Sequence, residues 1–475
     1  MKPSLRSIKL LLILVLFSCV GITPASSAKL SALPEPYDCY RSCEEITTRM
    51  AELTSLYPGL ARVKTIGQSF EDRPIQVLLL GREVETNTKP RLVLVSGLQA
   101  NTLAPVELNL SFAEFLLESY GKDANVNWLL DETEIHLIVV ANPDGRLFAE
   151  QQALNGDMPT WTKNRNLSEC TTGNGGVALS LNFSYGWSAV VAEPCDSNYA
   201  GPSAASEFET QAIQTYLEQI LAQNPERSLV IDLQNDGDWM ITPFLYDRTA
   251  ENPFENSLFM LANKLAYDSE SMPSRGMPGN LILTGTLTDF AFGDLHAPSL
   301  RFNLGPLMAG GDVTNCLYFD QVMKPEGLIS LARAARLTAE PLAQAQGPEI
   351  NFNIIENDLF AVRITGQADD ASFYKIWLNQ DEYSAIHHIS FSLDAPPWQQ
   401  DAVLTQVSWS HPLPDTPYIM DFAHLFHLAE IAPGKHTLYF QAWDSDIEGE
   451  PDQAGMINAI EISVPLFSFI PLLIR

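Results

Sequence analysis

Between residues 40 and 345, apolar strands alternate with helical segments, and this alternation constrains the fold more than any other feature of the chain. "RLVLVSG" (91–97) runs through a short loop into the helical "APVELNLSFAEFLLESYG" (104–121). "ETEIHLIVVANPDG" (132–145), "SLVIDLQ" (228–234) and "PSLRFNLG" (298–305) are further apolar strands. Strands that lack polar alternation are buried on both faces, so the pattern reads as α/β, with a mixed, mostly parallel sheet flanked by helices. "SCEEITTRMAELTSLYPG" opens this region as a helix. Ser42 and Glu45 make a capping box, Ile46, Met50, Leu53 and Leu56 share one face, and Pro58-Gly59 ends it. "ARVKTIGQSFEDRPIQVLLLG" reads as two strands joined by a turn, and "EGLISLARAARLTAEPL" as a last helix ending near 345.

Beyond residue 350 the segments become short and alternating, as in "FYKIWLNQ", "KHTLYFQAWDSD" and "AIEISVP". This texture predicts an all-β, immunoglobulin-like sandwich over 350–465, after an α/β domain at 37–345. The apolar tail 466–475 is too short to span a bilayer.

Lys2, Arg6 and Lys9 precede an apolar run from Leu10 to Val20, and "ASSA" ends at Ala28. Residues 1–28 therefore read as a signal peptide of an exported protein, secreted or at the cell surface, with no transmembrane span after its removal. "LFSC" (16–19) resembles a bacterial lipobox, which makes Cys19 an alternative lipidation site. Residues 29–37 read as a linker. The 28 Lys+Arg against 58 Asp+Glu give a net charge of −30, which excludes nucleic acid as a partner. An oxidising compartment permits disulfides. Cys170 and Cys195 bracket one loop and are the favoured pair. Cys39 and Cys43, four apart at a helix start, are a second possible bridge, under strain; of the five cysteines that remain if Cys19 leaves with the signal peptide, one thiol is left over.

Five segments then point one way, in order: "GQSFEDRPI" (67–75), "NPDG" (142–145), "WTKNRN" (161–166), "EPCDSNYAGPSAASEFET" (193–210) and "TGTLTDFAFG" (284–293). Together with the opening helix they resemble the M14 zinc carboxypeptidases of the carboxypeptidase A type. The resemblance implies zinc bound by His-x-x-Glu and a distant His. Those positions are Gln99, Thr102 and Gln234 here. The family's general-base Glu is Asn303, and the anchoring Asp289 lies 303 − 289 = 14 residues earlier, as the family spacing requires. The segment that holds a substrate's terminal carboxylate is "SLNF": Ser180 and Leu181 replace Asn and Arg, while Asn182 and Phe183 remain. The mobile Tyr maps to about Leu281, and the oxyanion Arg is kept as Arg165.

Neutral amide and hydroxyl oxygens compete poorly with water for Zn²⁺. An Asn does not titrate, and a Leu cannot pair with a carboxylate. The expectation is therefore an exported pseudopeptidase with no intact catalytic residue, no metal and no cofactor. Its neutral polar cleft, around Gln99, Thr102, Arg165, Ser180, Leu181, Asn182, Gln234, Leu281 and Asn303, is expected to bind peptide or glycan. The alternative is an active zinc metallocarboxypeptidase that removes C-terminal residues. Other features read more plainly. His136 is a packed or edge-facing strand residue, and His296 sits in a loop that could approach the cleft. Asp232, Asp236 and Asp238 read as a solvated acidic turn with Ca²⁺ as the alternative. "DSDIEGEPD" (444–452) reads as an acidic hairpin tip, and His424 and His427 as surface residues.

Overall fold

The computed structural model describes residues 32–465, apart from 84–88, 171–172, 190–191, 236, 270, 306–315, 359, 371–383, 400–401, 413–415 and 446–452. The expected signal segment 1–28, Cys19, Asp236 and the tail 466–475 lie outside the described residues.

Eight strands form the main sheet: β1 (Ala61–Gln68), β2 (Pro74–Leu80), β3 (Arg91–Ser96), β4 (Glu134–Ile138), β5 (Ser228–Asn235), β6 (Trp239–Thr242), β7 (Met272–Arg275) and β8 (Ser299–Leu304). Their order is β1-β2-β4-β3-β5-β8-β6-β7. The β4-β3-β5-β8 centre is parallel, and β6 joins β8 antiparallel. Every residue of β3, β5 and β8 is buried, as strands covered on both faces must be.

The cover comes from α1 (Cys43–Leu56), α2 (Leu103–Ser119), α3 (Ala124–Glu132), α4 (Pro143–Leu154), α5 (Phe208–Leu221), α6 (Glu255–Ala266), α7 (Leu287–Gly293), the single turn α8 (Cys316–Tyr318), α9 (Lys324–Leu337) and α10 (Pro341–Gln344). Side chains of α1, α2, α3, α6 and α9 pack with Leu92, Leu94 and Leu229 in one core. Those of α5 and α7 pack with Val93, Val95 and Val230 in another, so odd and even strand positions feed opposite layers. The capping box at α1 is formed as expected: the Glu45 N–H donates to Ser42 Oγ, and the Ser42 N–H donates to the Glu45 carboxylate at 2.8 Å.

After β9 (Glu349–Asn357) and β10 (Ala361–Asp369) come β11 (Ala385–Leu393), β12 (Thr405–Gln406), β13 (Ser408–Ser410), β14 (Ile419–His427), β15 (Gly434–Ser445), β16 (Gln453–Ala454) and β17 (Asn458–Val464). They make two antiparallel sheets, β13-β14-β10-β9 and β12-β11-β15-β16 with β17 on β15. Ile364 and Phe422 of the first share a core with Ile389 and Phe440 of the second. These sheets are seated firmly on the α/β region. Tyr439, Met456, Ile457 and Ala459 belong to the α1-side core. The Trp128 and Trp398 rings lie 5.3 Å apart, and Asn125 Oδ1 accepts the Ala459 N–H at 2.9 Å. The described residues from Ala32 onward are accordingly one compact unit.

Four expectations change. The supposed linker is core-forming: Leu33 and Tyr37 are buried, beside Tyr40. Cys39 pairs with Cys316 and not with Cys43; their Cα atoms are 5.5 Å apart, well within disulfide reach. Cys43 is instead the free thiol, and burial pushes it up to about 12. Asp444, at the start of the supposed hairpin tip, is fully buried. The favoured Cys170–Cys195 bridge is present.

Candidate functional site

The carboxyl ends of β3, β5 and β8 converge, the usual place for a ligand crevice in a parallel sheet. At the end of β3 the chain must turn sharply towards α2. Gly97 does this at φ +72°, and a Cβ there would press on Val106 Cγ2 at 3.1 Å. The loop is then fixed by its neighbours. The Ala100 N–H donates to the Thr162 carbonyl at 3.0 Å. Asn142 Nδ2 reaches the carbonyls of Leu98 and Lys163, at 3.3 and 3.2 Å, while its Oδ1 caps α4 through the Gly145 N–H. Two residues on, the Asp144 carboxylate accepts from Ser69 Oγ and the Glu71 N–H. The "NPDG" turn thus clamps the crevice loop, the 161–166 segment and the β1–β2 turn together.

The resulting cleft has a volume of about 470 Å³. Of the nine residues expected to line it, Gln99, Ser180, Leu181, Leu281 and Asn303 do. Leu181, Leu281, Leu283 and Met277 give its lining apolar surface, and Gln99, Asn101, Thr162, Ser180, Asn198 and Asn235 give it amides and hydroxyls.

The other four expected residues are occupied elsewhere. The Thr102 hydroxyl donates to the Gln99 carbonyl at 2.6 Å, closing its own turn. The Arg165 guanidinium is stacked over Phe148, 3.9 Å from the ring centroid, and over Trp161 at 4.8 Å. Asn182 knits the 200–207 loop, donating to the Ala200 carbonyl and accepting from the Glu207 N–H. Gln234 lies fully buried beneath the cleft and donates through Nε2 to Asp232 Oδ1 at 2.7 Å. His296 lines a separate cavity with Tyr185, Phe244 and Phe292. His136 is buried, with Nδ1 2.6 Å from the Tyr216 hydroxyl.

The residue that sequence reading missed is Arg301. It lines the cleft, is 4% exposed, and donates through Nε to Asn303 Oδ1 at 2.9 Å. Across the β5–β8 ladder Arg301 faces Asp232 and Asn303 faces Gln234. Arg301 Nη1 is 3.8 Å from Asp232 Oδ2. Burial pushes the Asp232 carboxyl above its ordinary range, and the guanidinium opposes that rise. The floor is therefore an ion pair flanked by two amides, and neither the neutral surface nor the solvated acidic turn that was expected. A signal was there: "IDLQ" and "RFNL" each carry one charge inside a buried strand, where an unpaired charge is not tolerated.

Residues 46–309, more than half of the 475, match the family model described as zinc carboxypeptidase, Peptidase_M14, so the chain belongs to this family. Among curated relatives, Carboxypeptidase B of Canis lupus familiaris is 27% identical over 235 residues, 48% of this chain and 53% of its own length. The protein named Inactive metallocarboxypeptidase ECM14, of Ajellomyces capsulatus, is 27% identical over 252 residues, 52% of this chain and 40% of its own. The chain thus spans about half the length of the curated relatives it matches. The crystal structure of thrombin activatable fibrinolysis inhibitor superposes with a TM-score of 0.55 at 22% identity, over 65% of this chain and 79% of that one. That likeness shows the fold.

The family implies zinc, and the residues here do not fit it. The three positions that the resemblance implies for metal ligands, Gln99, Thr102 and Gln234, offer an amide, a hydroxyl already donating to a carbonyl, and an amide already donating to Asp232. A guanidinium stands in the same floor. Among the described residues no group of three or more His, Cys, Asp or Glu could hold a metal ion.

Proposed function

We propose that this chain is an exported M14-fold protein that binds peptide in the cleft without hydrolysing it. One observation carries the reading. The floor at the family's metal and base positions is closed by Arg301, Asp232, Gln234 and Asn303, which hydrogen-bond and pair with one another. Hydrolysis in this family type needs an activated water and a titrating base, and an amide supplies neither. Binding needs only shape and hydrogen bonds, and the cleft retains both, lined by aliphatic side chains together with amides and hydroxyls. The apolar N-terminal segment and the two disulfides support export. The test is metal content and turnover measured together on chain purified without chelator. One zinc per chain with release of C-terminal residues from peptides establishes the alternative, an active metallocarboxypeptidase. No zinc and no release, with peptide retained in equilibrium dialysis, supports a binding protein.

A further inference from the structure

We propose that the cavity at the amino ends of β5 and β8 is a second binding site, and that it takes an organic cation of the quaternary ammonium class. The proposal does not depend on the reading of the cleft.

This cavity has a volume of about 660 Å³, the size of a small-ligand site. Arg227 and Pro298, which directly precede β5 and β8, line it. The cleft lies at the other end of the same strands, and the two linings share no residue. Pro298 and Asn303 are 303 − 298 = 5 residues apart along β8, about 16 Å of extended chain. Four aromatic rings give the cavity its character. Phe244 stacks on Tyr185 with centroids 5.5 Å apart, and stands at 61° to Phe292. Phe254 stands at 90° to Phe292, 6.4 Å away. Rings at steep mutual angles can meet one guest from different directions, as in an aromatic cage. A Phe ring forms no conventional hydrogen bond, so beyond apolar contact its face offers the negative pole of its quadrupole, which attracts a cation. Glu226 and Glu340 line the same cavity, against one guanidinium, Arg227, and the loop residue His296. The two carboxylates outweigh the guanidinium, and the net charge of −30 adds a field that draws cations.

A second observation is independent of charge. Phe254 is the N-cap residue of α6, where Ser, Thr, Asp or Asn would bond the first helical N–H groups, and its side chain makes no such bond. It is also 49% exposed, although Phe is a residue type that gains much from burial. Gly293 is what lets the Tyr185 ring close in, since a Cβ there would lie 2.3 Å from Tyr185 Cζ. Local preferences set aside without a gain to the fold are expected at functional positions.

The experiment is calorimetric titration of the full chain, at low salt, with choline and with its neutral tert-butyl analogue, in which carbon replaces nitrogen. Choline is expected to bind at least about tenfold more tightly, the scale of a desolvated cation–π contact. Phe254→Leu keeps apolar contact but removes a ring face, so it should leave the analogue unchanged and weaken choline severalfold. Glu226→Gln with Glu340→Gln should narrow the preference, and Arg227→Gln should widen it. Sedimentation with phosphatidylcholine vesicles separates two sources of the same head group: co-sedimentation assigns a lipid, and choline binding without it assigns a free ligand. Equal affinity for choline and its analogue, a preference that Phe254→Leu leaves intact, or binding of neither overturns the proposal, and each leaves peptide binding in the cleft standing.

Discussion

Arg301 on β8 stands directly opposite Asp232 on β5, Nη1 to Oδ2 3.8 Å, with both side chains almost entirely buried. Such a pair resists loss of one member far more than loss of both, because a lone buried charge is left unsolvated. Asp232→Ala and Arg301→Ala are each expected to cost about 3–5 kcal/mol. Arg301→Met with Asp232→Leu should cost much less than the sum. Urea unfolding of the four proteins completes the cycle, and additive losses would show that the two residues are not coupled.

The same guanidinium opposes a metal cation in the floor. Grafting Gln99→His, Thr102→Glu and Gln234→His restores the ligand types that a tetrahedral zinc site needs. The graft alone is expected to bind zinc weakly, and the graft with Arg301→Thr and Asp232→Ser at least tenfold more tightly, because a fixed positive charge has been removed from a low-dielectric site. Calorimetric zinc titration reads the difference. Equal affinities would mean that Arg301 does not reach the metal position.

Cys39–Cys316 closes a loop with a sequence separation of 277. The chain-entropy argument gives on the order of 5 kcal/mol for such a loop. Cys316→Ser should therefore lower Tm by several degrees. Reductant should lower the Tm of the parent by at least as much, since it also opens Cys170–Cys195, and should lower that of the variant less. Cys43 should resist alkylation in the folded chain at pH 8, since burial holds its thiol at about 12.

Burial raises Glu209 to about 7 and Asp289 to about 7, against carboxyl values near 4 in the unfolded chain. Between pH 4.5 and 7 the folded state then binds more protons than the unfolded one, so stability falls as pH rises through this window. His136, lowered by burial, contributes in the opposite sense below its ordinary value but is a single group. Thermal unfolding should give a Tm that declines from about pH 5 to pH 7.5. Glu209→Gln should flatten part of that decline; an undiminished slope would assign it to other groups.

The sheet was legible because β3 and the first half of β5 are apolar runs and β8 alternates Leu300, Phe302 and Leu304 with polar residues, and α1 because its capping residues sit at fixed offsets. α3 and α6 were not singled out: α3 is short, and neither carries a capping box like that of Ser42 and Glu45. The cleft was legible only as far as residue substitution goes. Leu181, Gln99 and Asn303 line the cleft, as expected. Where Thr102, Asn182, Arg165 and Gln234 point was not readable: Thr102 closes its own turn on the Gln99 carbonyl, Gln234 bonds Asp232 on its own strand, Asn182 is held by the 200–207 loop, and Arg165 stacks on Phe148 and Trp161. Arg301 escaped notice because it is ordinary as a residue type. It matters only through its strand partner 69 positions earlier (301 − 232 = 69), a pairing that the ladder register alone discloses. The supposed linker misled in a similar way, since Leu33 and Tyr37 are buried by contacts with helices far along the chain.

The bridge from Cys39 to Cys316 closes a covalent ring around all eight strands of the main sheet, with the crevice loop, the α4 clamp and the Arg301 strand inside it. A protease that cuts once anywhere between those cysteines opens the ring but frees no fragment. The nicked protein would keep its mass on a non-reducing gel and divide in two only after reduction. For the exported protein proposed above, this means that damage to one surface loop leaves the polypeptide in a single piece.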